Sequence, residues 1–334
     1  SVNQTTVTIS GTLSGVTQTA TLTINAPTLS NLTMSLASVV GGASSTGTVT
    51  LSSAAPTGGA VVTLSDDSAF STTPASVTVT AGATTATFTV TTTGVPAITT
   101  VTITGTFNAA KTASLTINPP TLSSVSVSPT AVVGGNGSTG TVTLGSIAPV
   151  GGAVVTLSSN NAAATVPANV TVAAGATTAT FAITTGGVSA ATPVTITGTY
   201  DVSKTATLTV NPAALTSVAM SPTAVTGGVS STGTVTLTGF APAGGAVVTL
   251  SSNNANATTP ATVTVPAGSA TATFTVTTVV VSAVNTATIT SVYNGVTRTA
   301  ALTVNPTTLV SVSMSPAIVT GGSSSIGTVT LDSR

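Results

Sequence analysis

The chain has 334 residues, a formal net charge of zero from four basic and four acidic side chains, and only 2% charged residues, against roughly a quarter in an average soluble domain. It contains no His, Cys or Trp, and its acidic residues are all Asp. Imidazole bases, thiolates, soft metal ligands and Glu pairs are absent, which excludes most triads, zinc centres and glycosidase dyads, and four basic residues are too few to track a phosphate backbone.

In chain order, the sequence reads as one pattern repeated. Gly-Thr-Val-Thr-Leu starts at Gly47, Gly140, Gly233 and Gly327, spacings of 93, 93 and 94. Phe88, Phe181 and Phe274 keep the 93-residue interval, as do Phe107, Tyr200 and Tyr293. The extra residue of the last interval therefore falls just after Tyr293, in the turn Asn294-Gly295. The expected organisation is residues 1–27 as the last two strands of a preceding repeat, complete repeats over 28–120, 121–213 and 214–307, and 308–334 as the first two strands of a following one. Within the central repeat, seven segments alternate apolar and hydroxyl residues and end at Gly, Pro or Asn, as half-buried strands do. They lie near 124–128, 138–144, 153–158, 169–173, 177–184, 193–200 and 204–210. Val142 with Leu144, Val155 with Leu157, Phe181 with Ile183, Val194 with Ile196, and Leu208 with Val210 are the expected core pairs.

Seven short strands in about ninety residues, with no helical period, predict a two-layer antiparallel sandwich large enough to fold without disulfides. Hydrophobic residues are 41% of the chain, and their regular alternation with Thr argues against disorder. The longest apolar runs, such as Val279-Val280-Val281, fall far short of the ~20 residues of a membrane helix. The chain starts at Ser1 and shows no signal sequence; any export signal or anchor is expected outside it.

Three motifs of the central repeat carry a family likeness: Ser-Thr-Gly-Thr-Val-Thr-Leu from Ser138, Gly-Gly-Ala-Val-Val-Thr-Leu-Ser-Ser from Gly151, and Val-Thr-Val-Ala-Ala-Gly-Ala-Thr-Thr-Ala-Thr-Phe from Val170. The sequence resembles bacterial immunoglobulin-like tandem repeats (Big-type) over essentially its whole length. The resemblance implies an all-β fold of tandem seven-stranded immunoglobulin-like β-sandwich domains in an extended array. It also implies a secreted or cell-surface location in a stalk, fibre or adhesin spacer. The paired Cys and buried Trp of antibody domains are missing, so antigen-type binding gains no support.

The expected joints, Asn118-Pro119-Pro120, Asn211-Pro212 and Asn305-Pro306, leave few residues between units, and proline stiffens them. With strands rising ~3.3 Å per residue, three sandwiches in series make a rod on the order of 110 Å.

Candidate sites are few. Asp66-Asp67 follows a strand, and the aligned loops carry Ser159-Asn160-Asn161 and Ser252-Asn253-Asn254. A calcium site needs six to eight oxygens, so turn chemistry accounts for the pair better than a metal does. Lys111, Lys204 and Arg298 share one repeat position at the start of the last strand, with Gln18 there in the leading segment. A solvated charge that discourages edge pairing is the expected role; an isopeptide bond would need an acidic shuttle. Asn-x-(Ser/Thr) at Asn3, Asn31, Asn136, Asn169 and Asn256 is no more frequent than a Thr- and Ser-rich sequence produces by accident. Thr rows such as Thr84-Thr85-Ala86-Thr87, Thr271-Ala272-Thr273 and Thr286-Ala287-Thr288 are read as wettable strand faces rather than an ice-binding plane. Phe70 and Phe240 alone among the aromatics break the repeat, and exposure of either in a loop would favour an adhesive role.

The expectation is a structural repeat segment of a bacterial extracellular fibre, stalk or sheath, self-associating through uncharged Thr-rich β surfaces because little charge keeps copies apart. An adhesin or carbohydrate-binding spacer of a large surface protein is the alternative. No enzyme activity, catalytic residue, cofactor, metal, nucleic-acid partner or membrane span is expected. The expected partners are further copies of the chain, with other cell-surface or matrix components second.

Overall fold

The computed structural model describes residues 4–332, and every regular element in that range is a β-strand. The central repeat shows how the alternation becomes a sandwich. Leu122–Ser128, Ser138–Leu144, Thr178–Thr185 and Ala164–Thr165 form a four-stranded sheet in that spatial order. Ala131–Val133, Ser203–Asn211, Thr192–Thr199, Ala153–Ser159 and Asn169–Val172 form the five-stranded sheet opposite. All pairings are antiparallel except Ala131–Val133 on Ser203–Asn211, which is parallel. The same two sheets recur over Leu29–Asn118 and Leu215–Asn305.

All seven expected strands are present, displaced by at most two residues at an end. Two more, Ala131–Val133 and Ala164–Thr165, are too short for a period of two to show. Neighbouring chain creates them: the first lies along the end of the last strand, and the second caps the edge beside Thr178–Thr185.

Alternation places one face of each strand inside. Val142, Leu144, Val155, Leu157, Phe181, Ile183, Val194, Ile196, Leu208 and Val210 are all buried, each Leu or Ile contributing about 1.5–3 kcal/mol by leaving water. Separate hydrophobic cores gather between Leu29 and Ile117, between Leu122 and Val210, and between Ala213 and Val304.

Each core contains a glycine covered by an aromatic ring. Gly47, Gly140 and Gly233 stand opposite Phe88, Phe181 and Phe274 in cross-strand register. A Cβ on any of these glycines would overlap the facing ring. The glycine of Gly-Thr-Val-Thr-Leu is thus dictated by its partner on the next strand, since the ring shields the strand position that lacks a side chain.

The one-residue insertion is absorbed as a change of hairpin. In the first two repeats three residues join the last two long strands, with Thr106 opposite Ala110 and Thr199 opposite Ser203. In the third, one further pair forms, Tyr293 opposite Val296, and Asn294-Gly295 makes a two-residue turn with φ of 47° and 77°. Asn-Gly tolerates both positive angles, and the tighter turn matches strand twist.

Thr5–Leu13 pairs with Val16–Ile24, and Leu309–Ser315 with Ile326–Leu331, as two antiparallel hairpins. Their apolar residues are exposed, so Leu309 is 61% accessible where its counterpart Leu29 is 1%.

Candidate functional site

Among the described residues no three Asp, Glu, His or Cys side chains cluster, and no helix is long and apolar enough to cross a membrane. The Asp66-Asp67 loop is built from bonds that the uncharged loops reproduce. Thr102 N donates to Asp67 Oδ1 at 2.8 Å, Thr195 N to Asn160 Oδ1 at 2.8 Å, and Thr288 N to Asn253 Oδ1 at 2.7 Å. Asp66 accepts from Ser68 N much as Ser159 accepts from Asn161 N. The bond from the Thr102 backbone, seconded by the Thr102 side chain, holds the Asp67 carboxyl below its ordinary range. A neutral amide oxygen fills the same place, so the geometry requires an acceptor and not a charge.

Lys111 and Lys204 stand opposite Gly105 and Gly198, on the half of the last strand beyond its short parallel neighbour. Among the described strands none pairs with the outer side of that half, where the expected role of a charge is to oppose pairing with another chain. Arg298 instead donates from Nε to the Thr216 carbonyl at 2.8 Å, at the residue bulged out of the first strand of its repeat. Asp201 accepts from Leu122 N at 2.8 Å. Partial burial pushes its carboxyl up, but the Leu122 and Val202 amides and the charge of Lys204 together bring it below the ordinary value.

The sequon residues Asn31, Asn136, Asn169 and Asn256 lie in the described range, whereas Asn3 lies outside it. Phe70 is partly buried against the first core. Phe240 lies in a loop and is 39% exposed, and it leads to the most developed arrangement outside the cores, the joint between consecutive repeats.

The first and second joints each have a socket and a plug, and the third has the same glycine-pair socket. The socket is a glycine pair, Gly41-Gly42, Gly134-Gly135 or Gly227-Gly228, whose second member has φ near +90°, which favours glycine. Threonine pins this turn. Thr185 Oγ1 donates to Asn136 O at 2.7 Å and accepts from Gly135 N at 3.0 Å, and Thr92 and Thr278 do the same in their repeats. The first glycine of each pair donates to the carbonyl of Asn118, Asn211 or Asn305, the residue just before the Pro linker. The socket is thereby tied to the linker.

The plug is the loop after Gly-Thr-Val-Thr-Leu in the next repeat. Its base holds the start of that repeat: Gly145 N donates to Thr121 O, Thr238 N to Ala214 O, and Asp332 N to Thr308 O. At the first joint Ile147 lies on Gly42, where an added Cβ would stand 2.7 Å from the Ile147 side chain. At the second the Phe240 ring lies on Gly135, with a Cβ 2.6 Å from the ring, and Phe240 N donates to Gly134 O at 2.8 Å across the joint. A second socket loop meets the plug backbone, Gly94 against the Ala148 carbonyl and Gly187 against that of Ala241. Val133, next to the second socket, packs against the third core.

Strand alternation does not mark out these residues, because they sit where alternation stops. The available signal is recurrence: Gly41, Gly134, Gly227 and Gly321 follow the repeat spacing. Pairing Phe240 with Gly135 requires knowing how two repeats meet.

The architecture is all-β, a run of immunoglobulin-like sandwiches with the two-sheet division of that fold. No protein-family model and no curated protein matches the chain. Solved structures of similar fold include invasin, described as a bacterial integrin-binding protein, at 15% identity and TM-score 0.40 over 90% of this chain and 67% of invasin. The Escherichia coli adhesin FdeC is similar at 19% identity and TM-score 0.32, over 82% of this chain and 96% of FdeC. A titin fragment is similar at 10% identity and TM-score 0.36, over 81% of this chain and 94% of the fragment.

Proposed function

We propose that the chain is a load-spanning spacer: repeats bounded at residues 28–120, 121–213 and 214–307, flanked by parts of further repeats over 1–27 and 308–334, in a bacterial extracellular stalk, fibre or sheath. The observation that carries this reading is the docked joint. A short Pro linker alone leaves two sandwiches free to swing, but a plug seated on a socket tied to that linker gives the first and second joints a preferred orientation. Such coupling serves a protein whose task is to hold its ends apart.

Lateral packing of copies is the second half of the proposal. It is supported by a net charge of zero with 2% charged residues, a surface with little electrostatic resistance to contact. An adhesin or carbohydrate-binding spacer is the other reading, and the 39% exposure of Phe240 in a loop favours it. Its ring, however, covers Gly135 of the neighbouring repeat, which gives Phe240 a structural role.

Negative-stain microscopy with small-angle scattering over a concentration series tests the proposal. Straight rods that gather side by side as concentration rises are expected. Collapsed strings of beads would sink the spacer reading, and rods that stay single at all concentrations would sink lateral packing. Glycan-array binding lost in F240A would favour the adhesive reading.

A further inference from the structure

The three sockets are not equivalent. Gly94, Gly187 and Val280 occupy one repeat position, on the loop beside the glycine pair. The loop backbone runs in the same place each time: a Cβ on Gly41, Gly134 or Gly227 would lie 2.8, 2.9 or 2.8 Å from the Cα of Gly94, Gly187 or Val280. At the first two joints this position faces the plug backbone. A Cβ on Gly94 would stand 2.6 Å from the Ala148 carbonyl oxygen, and one on Gly187 would overlap the Ala241 carbonyl. Val280 carries a Cβ and two methyl groups there and is exposed, as are Val229, Val279 and Val284.

We propose that Val280 leaves the third socket unable to take a plug backbone placed as those of Ala148 and Ala241 are, so that a following repeat with the same plug geometry cannot seat there and the third joint is the bend point of the array; the position that aligns with Ile147 and Phe240 is residue 334, outside the described residues. The obstruction is backbone against side chain, and backbone cannot rotate away as a side-chain tip does. The adjacent valine is harmless on the same geometry. Val279 aligns with Gly186, where an added Cβ meets nothing within 4 Å. One residue position thus separates a stiff joint from a loose one, and the array is a jointed rod whose stiff runs are set by where glycine gives way to a branched residue. This inference rests on the chain being a run of docked repeats and does not depend on copies associating.

The test moves the third socket's residue into the second joint of the 334-residue chain. The amide of Phe240, which bonds Gly134 O across that joint, reports docking by hydrogen exchange, and scattering at low concentration reports the angle. G187V should speed exchange at Phe240 by about tenfold or more and shorten the maximum dimension, leaving the core amides of Val142, Ile183 and Val235 protected. G186V should match the parent in both. Should G187V also loosen the second core, G187A, which adds only the Cβ, decides the matter by the same two readings. Unchanged exchange and dimension in the glycine-187 variants, or equal losses in G186V, would overturn the inference. Association between copies shows separately, as concentration dependence of the scattering.

Discussion

The interior of a repeat and the joint between repeats use one device, a large side chain laid over a glycine, with different tolerance for change. Inside, the pair is invariant: Phe88 on Gly47, Phe181 on Gly140, Phe274 on Gly233. At the joints the covering residue changes from Ile147 to Phe240, and the companion glycine gives way to Val280 at the third socket. The interior pair is closed in by two sheets, so a change of volume must be met by close-packed neighbours. The joint pair lies at the end of a sandwich with solvent on one side, so a change there is expected to bear on how repeats meet more than on the folding of either.

That contrast is broken or sharpened by substitutions of decreasing effect. F181A should be the most damaging, about 3–5 kcal/mol lost from the central repeat, because it opens a cavity and uncovers Gly140; denaturant unfolding followed by exchange at Val142 and Ile183 measures it. G140A should cost about 1–3 kcal/mol through overpacking against the Phe181 ring. An effect as small as a surface change, in the same assay, would deny that the ring holds that glycine in place. Ser138, whose buried Oγ donates to Pro129 O at 2.8 Å, should lose about 1–3 kcal/mol as S138A, readable as a lower denaturation midpoint. At the second joint F240A should leave both flanking repeats within about 0.5 kcal/mol of the parent while exchange at amide 240 accelerates. Loss of core stability in F240A would erase the distinction between interior and joint.

The smallest effect belongs to Asp67. Its carboxyl sits below the ordinary range because the folded loop offers it the Thr102 amide and hydroxyl. Its contribution is therefore present above the unfolded-state value and fades as pH falls below about 4 toward the lowered folded value. D67N, which installs the group already used at Asn160 and Asn253, should leave neutral-pH stability unchanged and remove that acid-side decline. A pH titration of the unfolding midpoint compares the two.

The strands, the ten core residues of the central repeat and the repeat spacing are legible in the sequence, because alternation is a local consequence of one face meeting the core. The turn at Asn294-Gly295 is equally legible, since only a few residue pairs accept two positive φ values. Ala131–Val133 and Ala164–Thr165 were not, because a strand of two or three residues is defined by its neighbour. Arg298 shows the same limit: its place on the last strand can be read from spacing, but its bond to the Thr216 carbonyl depends on a bulge in a strand 82 residues away.

By itself the sequence determined the absence of His, Cys and Glu, the β-strand pattern, the 93- to 94-residue recurrence of its motifs and which residues face inward. All of these follow from composition or from the local geometry of an extended chain. Only the tertiary structure decided that Phe88, Phe181 and Phe274 must each face a glycine, that a glycine pair tied to the linker receives the loop of the next repeat, and that Gly187 lies against the backbone of that loop. Those facts are about which backbone comes within a few ångströms of which, and a chain segment carries no record of that until distant segments have packed.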